Sequence, residues 1–271
     1  MLTCENLNKS FTIKEGFFGK EIRIDALKNI NLEIPENRII GLVGESGSGK
    51  STLSKTILLL LKPDSGRIFY KDTEITNKRP NELKFFRKEV QAVFQDPYSS
   101  LNPRLTIYDT LKEPLSLYTN LTDKEIFVKI SETLECVGIS PNDIYKYPHE
   151  FSGGQRQRIN IARAVILKPT LLIADEPVSS LDVSIQAQII NLFLELQKEY
   201  KFSMLFISHD LRIIRHISDE IIVMSKGEIV ERGSSYDIFE NTKDDYTRKL
   251  INSLPERTAI YNSNNFMVKS L

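Results

Sequence analysis

The stretch Gly44-Glu45-Ser46-Gly47-Ser48-Gly49-Lys50-Ser51 has the residue types and the spacing to hold a triphosphate. It reads G-x-x-x-x-G-K-S. Glycines open backbone conformations closed to residues with side chains, so successive N–H groups can turn toward one anion. A helix opening at Lys50 adds the positive end of its dipole. The Lys50 ammonium would neutralise the β- and γ-phosphates, and the Ser51 hydroxyl would ligate Mg²⁺. The plainer alternative is a Gly/Ser turn that only separates a strand from a helix. The apolar run before the loop and the helical stretch after it favour phosphate.

A second constellation follows at Leu171-Leu172-Ile173-Ala174-Asp175-Glu176, an apolar strand ending in two carboxylates. A strand beside a phosphate loop commonly ends in an acid that holds Mg²⁺ through water, and Asp175 fits that role. Glu176 would face the other way and could polarise an attacking water. Ser208-His209-Asp210 ends another strand at the same sheet edge, where His209 could hydrogen-bond a γ-phosphate. Gln95 ends a third, with a donor and an acceptor for the Mg²⁺ shell or the water. Ser152-Gly153-Gly154-Gln155 precedes a helix expected over Arg156–Lys168, with Ser152 as N-cap and two glycines leaving N–H groups open to an anion. One chain therefore offers two phosphate-binding helix N-termini.

These groups need a scaffold, and the chain has the size for it. Its 271 residues are 41% hydrophobic and 27% charged, an ordinary globular balance. Lys+Arg 36 against Asp+Glu 36 gives no electrostatic footprint for nucleic acid or an anionic membrane. Cys4 and Cys136 cannot build a disulfide framework, which suits a reducing compartment. The N-terminus lacks the basic-then-apolar pattern of a signal peptide, and the aliphatic run Ile57–Leu61 is far too short to span a bilayer. A soluble chain is expected, held at a membrane only by a partner.

Strands are expected at Leu2–Leu7, Ile30–Ile34, Ile39–Val43, Arg67–Tyr70, Val90–Phe94, Leu171–Ala174, Ser203–Ile207, Glu220–Met224 and Glu228–Glu231. An irregular stretch with Gly16 and Gly19 separates the first two. The phosphate-loop helix is expected to run toward Leu61 and to end before the turn Pro63–Gly66. Thr106–Lys168 is helical in character, with Ile126, Ile130, Thr133, Leu134 and Val137 in one apolar stripe. A further helix from Val183 carries Ile185, Ile189, Leu192, Phe193 and Leu196 on one face, and a last one covers Tyr246–Leu254.

In order, Gly44–Ser51, Gln95, Ser152–Gln155, Asp175-Glu176, Ser180-Leu181-Asp182 and His209 resemble the ATPase subunit of ATP-binding-cassette transporters, over residues 1 to about 235. The resemblance implies an α/β fold: a phosphate-loop ATPase core with a parallel sheet, an N-terminal antiparallel β-subdomain and an inserted helical signature subdomain. Residues 1–95 and 169–235 would form the core, 96–168 the helical subdomain and 236–271 a C-terminal extension. It also implies a head-to-tail dimer in which ATP lies between one chain's phosphate loop and the other chain's Ser152–Gln155. Lys50, Gln95, Glu176 and His209 would be catalytic. Nucleotide contacts would come from Phe11, Gly44 through Thr52, Ser152–Gln155 and Asp182. Mg²⁺ would be held by Ser51, Gln95 and Asp175. Phe11 resembles the aromatic that stacks on adenine; Phe17 or Phe18 could serve instead, or Phe11 could be core.

Phe94–Arg104, Tyr147–Phe151 and Ser184–Gln188 narrow the resemblance to the ATPases of bacterial peptide and nickel importers. The expected partners are two membrane-spanning permease subunits, a second ATPase subunit, identical or distinct, and an extracytoplasmic solute-binding protein through the complex, at the cytoplasmic face of the bacterial membrane. No nucleic acid is expected. Beyond Tyr236 the family's His-Pro-Tyr-Thr is here Asp244-Asp245-Tyr246-Thr247, Ser180 stands where alanine is usual, and the cysteines some relatives carry near the C-terminus are missing, so no iron–sulfur cluster is expected. Two rival readings make different demands. A nucleic-acid or ribosome-linked ATPase would bring tandem cassettes, a coiled-coil insertion or a basic surface. A non-hydrolysing sensor would lack Glu176 or His209.

Overall fold

Short apolar runs and longer periodic stretches alternate along the chain, and each folds as its pattern dictates in the computed structural model, which describes residues 1–14 and 21–254. Strands β1 (Leu2–Lys14), β2 (Glu21–Ile34) and β3 (Ile39–Val43) lead into helix α1 (Lys50–Ile57). Then come β4 (Ser65–Tyr70), β5 (Thr73–Glu74), α2 (Lys84–Glu89) and β6 (Val90–Val93). Helices α3 (Pro97–Ser100), α4 (Ile107–Tyr118), α5 (Asp123–Cys136) and α6 (Gly153–Val165) precede β7 (Leu171–Asp175). The rest runs α7 (Val183–Tyr200), β8 (Ser203–Ser208), α8 (Leu211–Ile217), β9 (Glu220–Ser225), β10 (Glu228–Ser234), α9 (Ser235–Glu240) and α10 (Asp245–Asn252).

Two sheets result. One is ordered β2-β1-β4-β5, antiparallel; the other is β10-β9-β3-β8-β7-β6, parallel except for the edge strand β10. Every residue of β3, β7 and β8 is buried, as continuous apolar runs in a sheet covered on both faces require. Alternate residues divide between two cores. Leu42, Ile173, Leu205 and Ile222 pack against Leu53 and Ile57 of α1 and against Leu2, Leu7, Ile30 and Leu32 of the antiparallel sheet. Val43, Leu172, Ala174, Phe206 and Val223 join the cluster of Leu111, Ile130, Leu134, Ile159 and Phe193 from the helices.

The register aligns the ends that matter. Val43 lies opposite Ser208, Asp175 opposite Ile207, and Val93 opposite Ala174. The C-terminal ends of β3, β8, β7 and β6 therefore finish side by side, and the residues that follow them gather in one crevice, where open α/β sheets bind ligands. No helix among the described residues is long and apolar enough to cross a membrane.

Several boundaries differ from expectation. Strands β1 and β2 run far beyond Leu7 and begin well before Ile30, pairing from Leu2↔Ile34 out to Lys14↔Glu21. Their outer halves alternate Ser10, Thr12 and Arg23 with Phe11, Ile22 and Ile24, and because those three apolar side chains stay exposed the ladder there rests on backbone pairing rather than on core burial. Helix α1 stops at Ile57, short of Leu61: Leu59 has φ 55°, and the N–H groups of Leu60 and Leu61 both turn back to the Lys55 carbonyl. Helix α6 begins at Gly153 and ends at Val165, with Lys168 at φ 50° closing it, rather than covering Arg156–Lys168. Strand β5 and helices α2, α3, α8 and α9 were not expected; each is short, so periodicity has little room to show. The stripe Ile126, Ile130, Thr133, Leu134 and Val137 is buried as expected.

Candidate active site

The site is built from the loop between β3 and α1. Gly44 must be glycine, because a Cβ there would lie 2.2 Å from the Met224 carbonyl oxygen of β9. Gly49 takes φ 108° and serves as the N-cap of α1, with no side-chain bond to the helix's first N–H groups. Those donors are left to whatever the loop encloses. Lys50 is 5% exposed, and its Nζ donates to the Gly44 and Glu45 carbonyls at 2.8 and 2.9 Å. Burial pulls its pKa down, while the Glu176 and Asp175 carboxylates oppose that shift.

Asp175 comes off β7 beside α1. Ser54 Oγ donates to its Oδ2 at 2.7 Å and Ser51 Oγ to its Oδ1 at 3.3 Å. Burial raises the Asp175 pKa, and the two hydroxyl bonds hold it back. Ser54 escaped the sequence reading; its only signal is the three-residue spacing from Ser51, which puts both hydroxyls on one helix face. The next residue, Glu176, adopts φ 48° and donates its N–H to the Ile207 carbonyl at 3.0 Å. That kink turns the carboxylate toward β8, where Glu176 Oε2 meets His209 Nδ1 at 3.1 Å. The Glu176 side chain is 17% exposed and that of His209 57%.

A cavity of about 610 Å³ opens onto Lys50, Ser51 and Glu176. Ser46, Gly47, Gly49, Lys50, Ser51, Thr52, Gln95 and Glu176 line it, with Ile24, Asp25, Ala26 and Lys28 of β2 and Lys226 of the β9–β10 turn. The β2 and Lys226 contributions were not foreseen. They come from parts of the chain with no motif of their own. Lys28, Lys50 and Lys226 outnumber the carboxylates Asp25 and Glu176 in the lining, a positive balance suited to a polyphosphate. Among the described residues no group of three or more His, Cys, Asp or Glu gathers as it would around a metal held by protein alone. The available donors, Ser51, Asp175 and Gln95, are hard oxygens in small number, which suits Mg²⁺, an ion that keeps water and phosphate in its shell.

Other expected site residues lie apart. Phe11 is 37% exposed, has the Lys9 ammonium 5.7 Å from its ring centre, and is not among the cavity-lining residues; Ile24, its cross-strand partner, is. Phe17 and Phe18 fall outside the described residues. Ser152, Gly153, Gly154 and Gln155 also stand away from the cavity lining. There Ser152 Oγ accepts the Gln155 N–H at 3.3 Å and Gln155 Oε1 accepts the Ser152 N–H at 2.9 Å, a reciprocal cap at the start of α6. Gly154 is buried against Ile185, whereas a Cβ at Gly153 would meet nothing closer than 3.9 Å. Asp182 is exposed and is the N-cap of α7 without a side-chain bond. One link was not expected: buried Gln157 of α6 donates through Nε2 to the Pro177 carbonyl at 2.6 Å, next to Glu176.

Comparison with known proteins gives this arrangement its relatives. The ABC transporter family model matches residues 27–179. The chain is 46% identical over 257 residues to the oligopeptide transport ATP-binding protein AppF of Bacillus subtilis, covering 94% of this chain and 78% of that protein. It is 41% identical over 255 residues to the di/tripeptide transport ATP-binding protein DppF of Pseudomonas aeruginosa, covering 94% and 79%. Among solved structures it resembles the dimeric, post-hydrolysis ATP-binding cassette MJ0796 bound to ADP and Pi, with TM-score 0.76 and 29% identity over 87% of this chain and 99% of that one. It also resembles cbiO1 of Clostridium perfringens, part of the ABC transporter complex cbiONQ, with TM-score 0.75 and 29% identity over 95% and 96%.

Proposed function

The chain belongs to the ABC transporter family as an ATP-binding, ATP-hydrolysing subunit, and from that premise we propose that it powers a bacterial importer of oligopeptides or dipeptides. The names of its relatives favour peptide over nickel as cargo.

One observation carries the catalytic assignment: Lys50, Ser51, Gln95 and Glu176 line a single cavity, and His209 holds the Glu176 carboxylate. In this reading the loop N–H groups and Lys50 bind the phosphates. Mg²⁺, held by Ser51 and through water by Asp175 and Gln95, would neutralise phosphate charge. Glu176 accepts a proton from the attacking water, and His209 fixes the orientation of its carboxylate. The kink at Glu176 and the Gln157–Pro177 bond keep the carboxylate at the cavity wall rather than in the sheet.

The starts of α1 and α6 do not meet in one chain. We therefore assign the second half of the site, Ser152–Gln155 with Asp182, to a second ATPase subunit, identical or distinct, arranged head to tail. The γ-phosphate joins the two, so closure depends on ATP and reverses after hydrolysis. The motion would reach two permease subunits at the membrane's cytoplasmic face. A groove of about 350 Å³ lined by Leu58, Phe86, Phe94 and Leu117, with Arg87, Glu113 and Arg163 among its polar residues, is suited to receive them. A solute-binding protein would deliver the cargo from the other side.

Cargo is tested in cells. Replacing the gene with a Glu176→Gln copy should abolish growth on peptides as the sole source of a required amino acid and leave nickel uptake unchanged. Normal growth on peptides, or loss of nickel uptake instead, would overturn the peptide assignment.

A further inference from the structure

Tyr246 lies 201 residues from Glu45 in sequence, yet the Glu45 N–H donates to its phenolic oxygen at 3.0 Å. This is a contact between α10, in the C-terminal extension, and the first turn of the phosphate loop. The Glu45 residue is a junction. Its carbonyl accepts both the Lys50 ammonium at 2.9 Å and the Ser48 N–H at 3.1 Å. The orientation of this one residue therefore governs the turn from Glu45 to Ser48 and the seat of the lysine. A second bond from the same side supports the loop: Gly227 N–H, in the β9–β10 turn, donates to the Ser48 carbonyl at 3.0 Å.

The tyrosine itself is firmly seated. Asp244 caps α10, its Oδ1 accepting the N–H groups of Tyr246 and Thr247 at 2.9 and 3.0 Å. Thr247 is fully buried. Glu231 of β10 grips the preceding segment, accepting Thr242 Oγ1 and Lys243 N–H, each at 2.7 Å. Tyr246, Leu250, Ile251 and Leu254 pack on the helical core. A cavity of about 450 Å³, lined by Glu45, Ser48, Tyr246 and Lys249 among others, lies between loop and helix, and the hydroxyl bridges α10 to the loop.

We propose that Tyr246 is a positioning residue for nucleotide binding: by accepting the Glu45 N–H it holds the phosphate loop and Lys50 in their binding arrangement, making the C-terminal extension part of the site's support. The proposal rests on the assignment of Gly44–Ser51 as the ATP loop. Without the hydroxyl, the Glu45 N–H has only water as partner, and the turn that orients Lys50 loosens before any phosphate arrives. Nucleotide binding then has to supply the ordering, which weakens affinity without touching the group that polarises water.

The test is Tyr246→Phe in the full-length chain, which keeps the ring and removes the oxygen. Calorimetry with MgADP and with a non-hydrolysable MgATP analogue should show Kd raised about 3- to 10-fold for both. The KM for ATP should rise by a similar factor, with kcat at saturating ATP within about 2-fold of wild type. Amide exchange should quicken in the loop peptide and not in β7. Unchanged Kd values in folded protein, or a fall in kcat with KM unaltered, would overturn the proposal. If Tyr246→Phe does not fold, Asp244→Asn, which weakens the cap that seats the tyrosine, carries the same test with a smaller rise in Kd expected and an unchanged Kd contradicting it. A wild-type chain that binds neither nucleotide would instead remove the ATP-loop assignment on which all this stands.

Discussion

The starts of α1 and α6 are both glycine-flanked helix N-termini in one chain, and they are finished in opposite ways. At α1 the N-cap is Gly49, no side chain covers the first N–H groups, and the surrounding wall supplies Lys50, Lys28, Lys226 and Glu176. At α6, Ser152 and Gln155 close a capping box on each other, and the space in front of Gly153 is open. One terminus is left bare because its own chain builds a pocket around it. The other is capped so that it can stand exposed until something larger arrives. The pair reads as two halves of a site divided between chains.

That contrast is broken most severely at the catalytic wall. Glu176→Gln should retain nucleotide binding and lower steady-state turnover by about 10²–10⁴-fold, the loss typical of a missing general base; near-normal turnover would take Glu176 out of that role. At α1 itself, Lys50→Ala should raise the Kd for MgATP about 10- to 100-fold, since it deletes a charged donor facing the phosphates. An unchanged Kd by calorimetry would show that the loop amides suffice.

Changes at α6 should be milder for the lone chain. The two glycines separate packing from exposure: a Cβ at Gly154 would sit 2.8 Å from Ile185 Cγ2, while one at Gly153 has room. Gly154→Ala should be about 1–3 kcal/mol less stable than Gly153→Ala in urea unfolding. Equal stabilities would mean that Ile185 yields freely. Ser152→Ala should cost about 1 kcal/mol by loss of the cap, with ATP affinity of the isolated chain unaltered.

Much of this was legible in the residues, for a physical reason. The runs Ile39–Val43 and Leu171–Ala174 are buried on both faces and carry no polar side chain, and the polar residues that follow lie at the sheet edge. The loop, Asp175, Glu176, Gln95 and His209 were therefore readable together. What escaped depends on the third dimension. The outer halves of β1 and β2 alternate polar residues with Phe11, Ile22 and Ile24, but those apolar side chains stay exposed, so the alternation marks no core face. Ile24, rather than its cross-strand partner Phe11, reaches the cavity because β2 and not β1 forms that wall. The Ser54–Asp175 and Tyr246–Glu45 bonds join residues 121 and 201 positions apart, and neither partner carries a local pattern that names the other.

The division of the site between chains is tested most directly by light scattering after size exclusion. Glu176→Gln protein, alone and co-expressed with its partner ATPase, would be run with MgATP and with MgADP. The account predicts a dimer in MgATP and none in MgADP, and loss of the ATP-dependent dimer when Gly153→Asp sets a negative charge where the second chain's phosphate would lie. If neither the lone chain nor the pair dimerises in MgATP, or if MgADP serves equally well, the two helix termini do not share a γ-phosphate.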